Sequence, residues 1–159
     1  MKSNNNSTIL GLVLLSAFFV FYFGNIEWVW LQELQQQENY KRWSGLAVAL
    51  FIIFQWLLTF TRIIKRFRQS AMKMATIHKW LGAMSPLLFY IHSVKLGYGY
   101  IALMSYLFFA NALLGYINLD VIKSKGEILF KGWMIFHVAF SIIISILMCF
   151  HIVMVFYYK

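Results

Sequence analysis

The sequence predicts an all-α integral membrane protein, a bundle of about five transmembrane helices with a cytoplasmic N-terminus. Three observations point to this class. The 159 residues are 62% hydrophobic and 12% charged, whereas a soluble domain carries roughly 25% charged residues. The apolar residues form stretches near the ~20 residues that a helix needs to cross a bilayer. The basic residues stand at the ends of those stretches, where membrane orientation explains them.

Five stretches qualify in chain order: Ile9–Trp30, Trp43–Phe60, Met74–Val94, Tyr98–Leu119 and Gly132–Tyr157. The first contains Gly24, Asn25 and Glu27 near its end, so its outer turn is expected to leave the membrane. No small-residue cleavage site follows it, which favours a mature span over a signal peptide. Beyond the polar start Ser3–Thr8 there is no low-complexity segment, and no Pro/Gly/Ser linker marks a second domain. Residues 1–159 are expected to form one transmembrane domain, with a histidine-bearing core over 74–157. The single cysteine, Cys149, lies in an apolar run and has no second cysteine to pair with.

Orientation follows from the basic residues. Arg62, Lys65, Arg66, Arg68 and Lys73 separate the second and third spans with no acid among them, so that loop is expected on the cytoplasmic side. Glu27, Glu33, Glu38, Lys41 and Arg42 separate the first two spans and fit the outer side. Lys123, Lys125 and Lys131 precede the last span and fall inside under the same topology. The net charge of +9 is thereby spent on membrane surfaces, and no nucleic-acid partner is expected. Trp28, Trp30, Trp43, Trp133, Tyr157 and Tyr158 sit near span ends, where amphipathic rings meet headgroups.

The four histidines all fall inside predicted spans, His78 and His92 in the third, His137 and His151 in the fifth. Both spacings are fourteen residues (92 − 78 and 151 − 137). Fourteen residues is close to four helical turns, so each pair projects from one face with its members about 21 Å apart along the axis. That distance excludes one shared metal ion and suits two separate sites. The two spans run in the same direction because one span lies between them. His78 then shares a depth with His137, and His92 with His151. Two histidines at one depth on facing helices can fill both axial positions of a haem iron, so the pattern implies two b-type haems.

At 100° per residue, His78, Gly82, Ser85, Phe89 and His92 form one stripe, and His137, Ser141, Ile144, Met148 and His151 form the other. Gly82 and Ser85 are small enough to leave room for a flat macrocycle, although small residues also mark tight helix packing. Ser141 stands on the facing stripe in the same role. Phe89 and Met148 are placed to fill the space between the two sites. Lys79 and Lys95 are placed to neutralise propionates, with snorkelling to the interface the competing reading. Pro86 reads as a tolerated kink, and Asn111 as an interhelical hydrogen bond. Ionisable groups within a membrane are by default functional. Four of them in two equal pairs favour haem over a proton path, another metal or structural hydrogen bonding.

The stretch His78-Lys-Trp-Leu-Gly82 through His92, with a second histidine pair two spans later, resembles the ferric reductase-like transmembrane domain. That superfamily includes NADPH oxidases, ferric reductases and the haem subunit of the bacterial methionine sulfoxide reductase. The resemblance covers mainly Met74–Tyr157, and the paired histidine spacing is its specific part. It implies a helical bundle with stacked bis-histidine b haems that carry electrons across the membrane. Family members usually have six spans, whereas five are counted here, and many carry a flavin and nicotinamide domain. No dinucleotide fingerprint occurs in this chain. A redox partner protein or a quinol is therefore expected as electron donor, with membrane lipid as the surrounding partner.

The readings that compete are a quinol-linked cytochrome b outside this superfamily, a complete small reductase, and a non-redox assembly or transport protein. Haem content separates the last from the others. The charge pattern also makes a topological prediction. With Cys149 replaced by serine and Gln69→Cys introduced, a membrane-impermeant thiol reagent should fail to label intact cells and should label opened membranes. Labelling from outside would invert the orientation.

Overall fold

In the computed structural model, which describes residues 6–117 and 126–158 apart from the side chains of Arg62 and Arg68, the chain is all helical and no strand occurs among those residues. Seven α-helices follow in order: α1 Asn6–Phe23, α2 Val29–Gln36, α3 Glu38–Gln55, α4 Leu57–Ile63, α5 Ala71–His92, α6 Tyr100–Tyr116 and α7 Glu127–Tyr157. A 3-10 segment, Lys65–Ser70, joins α4 to α5. The first half of the polar start, the Leu119 end of the fourth expected span, and Lys123 and Lys125 lie outside the described residues.

Among the described residues three helical segments are long and apolar enough to cross a membrane: Asn6–Phe23, Glu38–Thr61 and Glu127–Tyr157. The second runs through α3 and into α4, because Trp56 keeps helical dihedrals (φ −70°, ψ −16°) at the junction. These segments leave most of their apolar side chains on the outside. In α7 only Ile144 and Met148 are buried, and Ile135, Ile146 and Val153 are exposed. A helix apolar all round needs an apolar surrounding, and a bilayer supplies it. At 1.5 Å per residue the 31 residues of α7 run to about 46 Å, longer than the ~30 Å hydrocarbon core. Its N-terminal turns, with the Lys131–Glu127 ion pair at 2.7 Å, have length to spare beyond the hydrocarbon.

The other two expected spans differ from these. At 22 residues α5 is long enough, but it falls short in apolar character because it carries Lys73, His78, Lys79, Ser85, Pro86 and His92. The apolar helix α6 is slightly short at 17 residues. The first expected span stops at Phe23, as Gly24 and Asn25 suggested. Asn25 takes a positive φ of 47°, and Gly24 N donates to Val20 O at 2.9 Å. The sequence reading did not anticipate α2, a short amphipathic helix in the loop after α1 of which only Leu31 is buried.

Helix α5 is packed against α1, α3, α4 and α6. Its contact with α1 and α6 forms an aromatic core in which Phe109 lies 4.5 Å from Phe18 and 4.7 Å from Phe89, centre to centre. Leu15, Phe108 and Ile144 extend this core.

Pro86 lies inside α5. It has no N–H, so the carbonyl four residues earlier, that of Gly82, loses its helical partner. The Tyr116 hydroxyl at the end of α6 donates to that same carbonyl at 3.1 Å. Gly11 on α1 makes room for the tyrosine, since a Cβ at position 11 would stand 2.5 Å from Tyr116 Cε1. Three helices thus meet at one orphaned carbonyl.

That arrangement predicts a coupled pair of substitutions. Tyr116→Phe should destabilise the protein by about 1 kcal/mol, the usual scale for a hydrogen bond inside a membrane protein. In a Pro86→Ala background the helix can satisfy Gly82 itself, and the same Tyr116→Phe change should cost much less. Thermal unfolding of the four variants in detergent measures the coupling.

Candidate functional site between two histidine-bearing helices

The structure brings His78 and His137 together, with ring centres 6.1 Å apart and ring planes at 83°. Helices α5 and α7 make no extensive contact with each other; α7 packs on α6 and α3. The space between them is a cavity of about 250 Å³. His78, Gly82, Ser85, His137, Ser141 and Ile144 all line it, three from each predicted stripe, whereas Phe89, His92, Met148 and His151 do not. A Cβ at Gly82 would meet nothing within 4 Å, which leaves the wall open at that point. Lys79 lines the same cavity, whereas Lys95 lies beyond the end of α5 and is exposed.

The cavity wall carries polar atoms with unmet demand. Gln55 Oε1 and Asn111 Oδ1 are buried and have no hydrogen-bond partner among the described residues. The His137 ring faces the Asn111 backbone, and its Nδ1 completes no hydrogen bond. Buried groups of this kind are uncommon, and each calls for an explanation such as a bound group or water. Other polar groups on the wall are tied to one another. Asn111 Nδ2 donates to Ser141 Oγ at 3.0 Å, and Ser141 Oγ donates to His137 O at 2.8 Å. Trp56 Nε1 donates to Ser145 Oγ at 3.0 Å, which donates to Ser141 O at 2.8 Å. Trp133 Nε1 donates to Leu114 O at 2.7 Å, and its ring lies parallel to His137 at 5.8 Å. Asn111 thus makes the interhelical hydrogen bond expected of it, and α7 is tied to α6 and α3 through this serine and tryptophan ladder.

The second pair, His92 and His151, lies toward the other end of the same two helices. Here the rings have hydroxyl neighbours. Ser44 Oγ on α3 is 3.0 Å from His92 Nδ1, and the Tyr100 hydroxyl at the start of α6 is 3.5 Å from His151 Nδ1. Gly45 lies against the His92 ring, and a Cβ there would approach Cε1 to 3.0 Å.

The end of α5 that carries His92 is clamped from outside. Gln35 Nε2 donates to Tyr90 O at 2.7 Å and Ile91 O at 3.1 Å, and Tyr40 Oη donates to Ile91 O at 2.9 Å. Val94 N donates back to Gln35 Oε1 at 3.2 Å. The last carbonyls of a helix lack intrahelical partners, and α2 and α3 supply them here. Phe89 points into the aromatic core with Phe18 and Phe108, and Met148 is buried on α7.

Sequence reasoning missed Ser44, Gly45, Tyr100 and Gly115. The last permits close approach to His137, whose Cε1 would lie 3.4 Å from a Cβ at position 115. Ser44 and Gly45 lie on α3 and Tyr100 and Gly115 on α6, so no spacing along α5 or α7 reveals them.

The separation of His78 and His137 is compatible with two imidazoles on one metal. An imidazole nitrogen binds a first-row metal at about 2.0 Å, and the ring centre lies roughly 1.1 Å behind it, so two imidazoles across one metal have centres about 6 Å apart. The His78–His137 separation matches that value. Among the described residues no group of three or more His, Cys, Asp or Glu can hold a metal ion alone. Haem iron takes its four equatorial ligands from the macrocycle and asks only two of the protein.

No protein-family model, curated protein or solved structure matches this chain.

The open wall at Gly82 makes a prediction about volume. Gly82→Phe should be accommodated with a stability change under about 1 kcal/mol, because the ring enters the cavity. Ala83→Phe, at a neighbouring position that is 0% exposed, should cost at least the ~1–3 kcal/mol of overpacking. Thermal unfolding of the two variants distinguishes them.

Proposed function

We propose that the chain is a membrane cytochrome b of about five spans, N-terminus in the cytoplasm, which carries electrons across the bilayer through two b-type haems. His78 and His137 would hold one, and His92 and His151 the other. The observation that carries this reading is the pair His78 and His137 at 6.1 Å across a cavity between parallel helices, with the same fourteen-residue step leading to a second pair. The histidine pattern's resemblance to the ferric reductase-like transmembrane domain supports the same reading.

Haem held by these histidines would supply reversible one-electron exchange. The chain's own residues do the rest. Gly82 keeps the cavity wall open beside the iron ligands. Ser141, Ser145 and Trp133 hold α7 at its distance from α5 by bonding to α6 and α3 rather than to α5. The aromatic core of Phe18, Phe89 and Phe109 packs α5 against α1 and α6. Low local polarity, axial ligand and hydrogen bonds to that ligand set the potential. The electron donor on this reading is a redox partner protein or a quinol, and the acceptor lies on the outer side. The helix end near His78 adjoins the basic segment of Lys65, Arg66 and Lys73, which supports a cytoplasmic side for the His78–His137 pair on this reading.

The test is a pyridine haemochrome assay on purified protein, expected to give two b haems per chain. His78→Ala and His137→Ala should each remove the same redox transition, and His92→Ala and His151→Ala the other. Gly82→Phe should lose only the first. No haem in folded protein would sink the proposal, and loss of one transition by both His78→Ala and His92→Ala would refute the pairing.

A further inference from the structure

The Ser44 hydroxyl has one hydrogen, and its position is settled by its neighbours. Ser44 Oγ lies 2.6 Å from Tyr40 O, one turn earlier on α3. This is short for a hydroxyl–carbonyl bond, and the alternative acceptor, Lys41 O at 3.4 Å, is also a carbonyl of the preceding turn. Either way the hydroxyl hydrogen goes to the helix backbone. What Ser44 offers His92 Nδ1 at 3.0 Å is then a lone pair. For that contact to be a hydrogen bond, Nδ1 must carry the proton. A neutral imidazole has one N–H, so Nε2 is left bare.

We propose that Ser44 is a positioning residue that locks His92 in its Nδ1–H tautomer and leaves Nε2 as the metal-ligating nitrogen. This rests on the haem reading for its functional meaning. Gly45 completes the device. A Cβ at that position would stand 3.0 Å from His92 Cε1, so a larger residue would displace the ring from its place beside Ser44 by a few tenths of an ångström. The Gln35 and Tyr40 contacts to the last carbonyls of α5 hold the backbone on either side of the bond. At the other pair the His137 ring faces the Asn111 backbone rather than a serine hydroxyl, so the Ser44 contact belongs to one site.

A ligand imidazole that donates its other N–H becomes a stronger base. It favours the ferric state, because the more highly charged iron gains more from a stronger donor. Removal of the acceptor should therefore raise the potential of the His92–His151 haem and weaken its binding, by about 10- to 100-fold on the usual scale for such partners. The other haem should be unaffected.

The experiment uses the full chain in lipid nanodiscs with Ser44→Ala, Ser44→Thr and the unsubstituted protein. Redox titration of the reduced-minus-oxidised spectrum should show an upward shift for Ser44→Ala in only the transition that His92→Gln removes. Ser44→Thr, which keeps the hydroxyl, should restore it. An unchanged potential in Ser44→Ala, an equal shift of both transitions, or failure of Ser44→Thr to restore would overturn the assignment. If Ser44→Ala does not fold, nitrogen-15 histidine spectra of the unsubstituted, chemically reduced protein decide, with His92→Gln identifying the signal. A protonated Nδ1 is expected, and a protonated Nε2 refutes the lock. The two failures are separable. A chain without haem removes the functional proposal, yet the same spectra still read the tautomer.

Discussion

Helix α5 is the constraint on which the rest of the structure depends. It carries two histidines, two lysines, Ser85 and a proline in 22 residues, and polar groups are costly in hydrocarbon unless paired within the protein. The fold answers by packing four helices, α1, α3, α4 and α6, on α5, while Met72, Ile77 and Trp80 on its other sides stay exposed. Among the described residues α1, the α3–α4 segment and α7 are the elements long and apolar enough to cross a membrane. Tyr116 and Gly82 show the cost at one atom. A carbonyl that proline deprives of its partner is supplied by a hydroxyl from α6, and Gly11 of α1 yields the space.

Enclosure of α5 does not extend to its side facing α7, where the cavity lies. This is a consequence of where the hydrogen bonds go. Helix α7 is tied laterally, by Asn111 to Ser141, Trp56 to Ser145 and Trp133 to Leu114, and none of these bonds ends on α5. The lateral ties fix α7 against two neighbours while a gap remains toward the third. Small residues at Gly82 and Gly115 keep that gap from closing around the His78 and His137 rings. On the proposed reading the gap is the space a flat macrocycle needs.

The two histidine pairs share one spacing but differ in surroundings. The His78–His137 pair borders a cavity with unpaired amide oxygens from Gln55 and Asn111. The His92–His151 pair lies where α3 and the start of α6 present hydroxyls to the rings, next to the clamped end of α5. On the proposed reading, like ligands in unequal settings would give the two sites different properties, because the second partner of each imidazole tunes its basicity.

The all-helical class, the end of α1 near Gly24, the convergence of part of the two histidine stripes and the pairing of His78 with His137 were legible in the sequence. Each depends on local composition or on a helical period, and both are properties of a single segment. The fourteen-residue step appears on α5 and again on α7, and the parity of the intervening span orders the pairs. What lies on other helices was not legible. Ser44, Gly45, Tyr100 and Gly115 are ordinary small or aromatic residues in apolar runs, and only the packing of α3 and α6 brings them against the histidine rings. Pro86 read as a tolerated kink, but that the partner of its lost hydrogen bond is Tyr116, 34 residues after Gly82, follows from a contact between helices. Periodicity reports which face of a helix a residue occupies; which neighbour meets that face, and with which atom, is decided by tertiary packing alone.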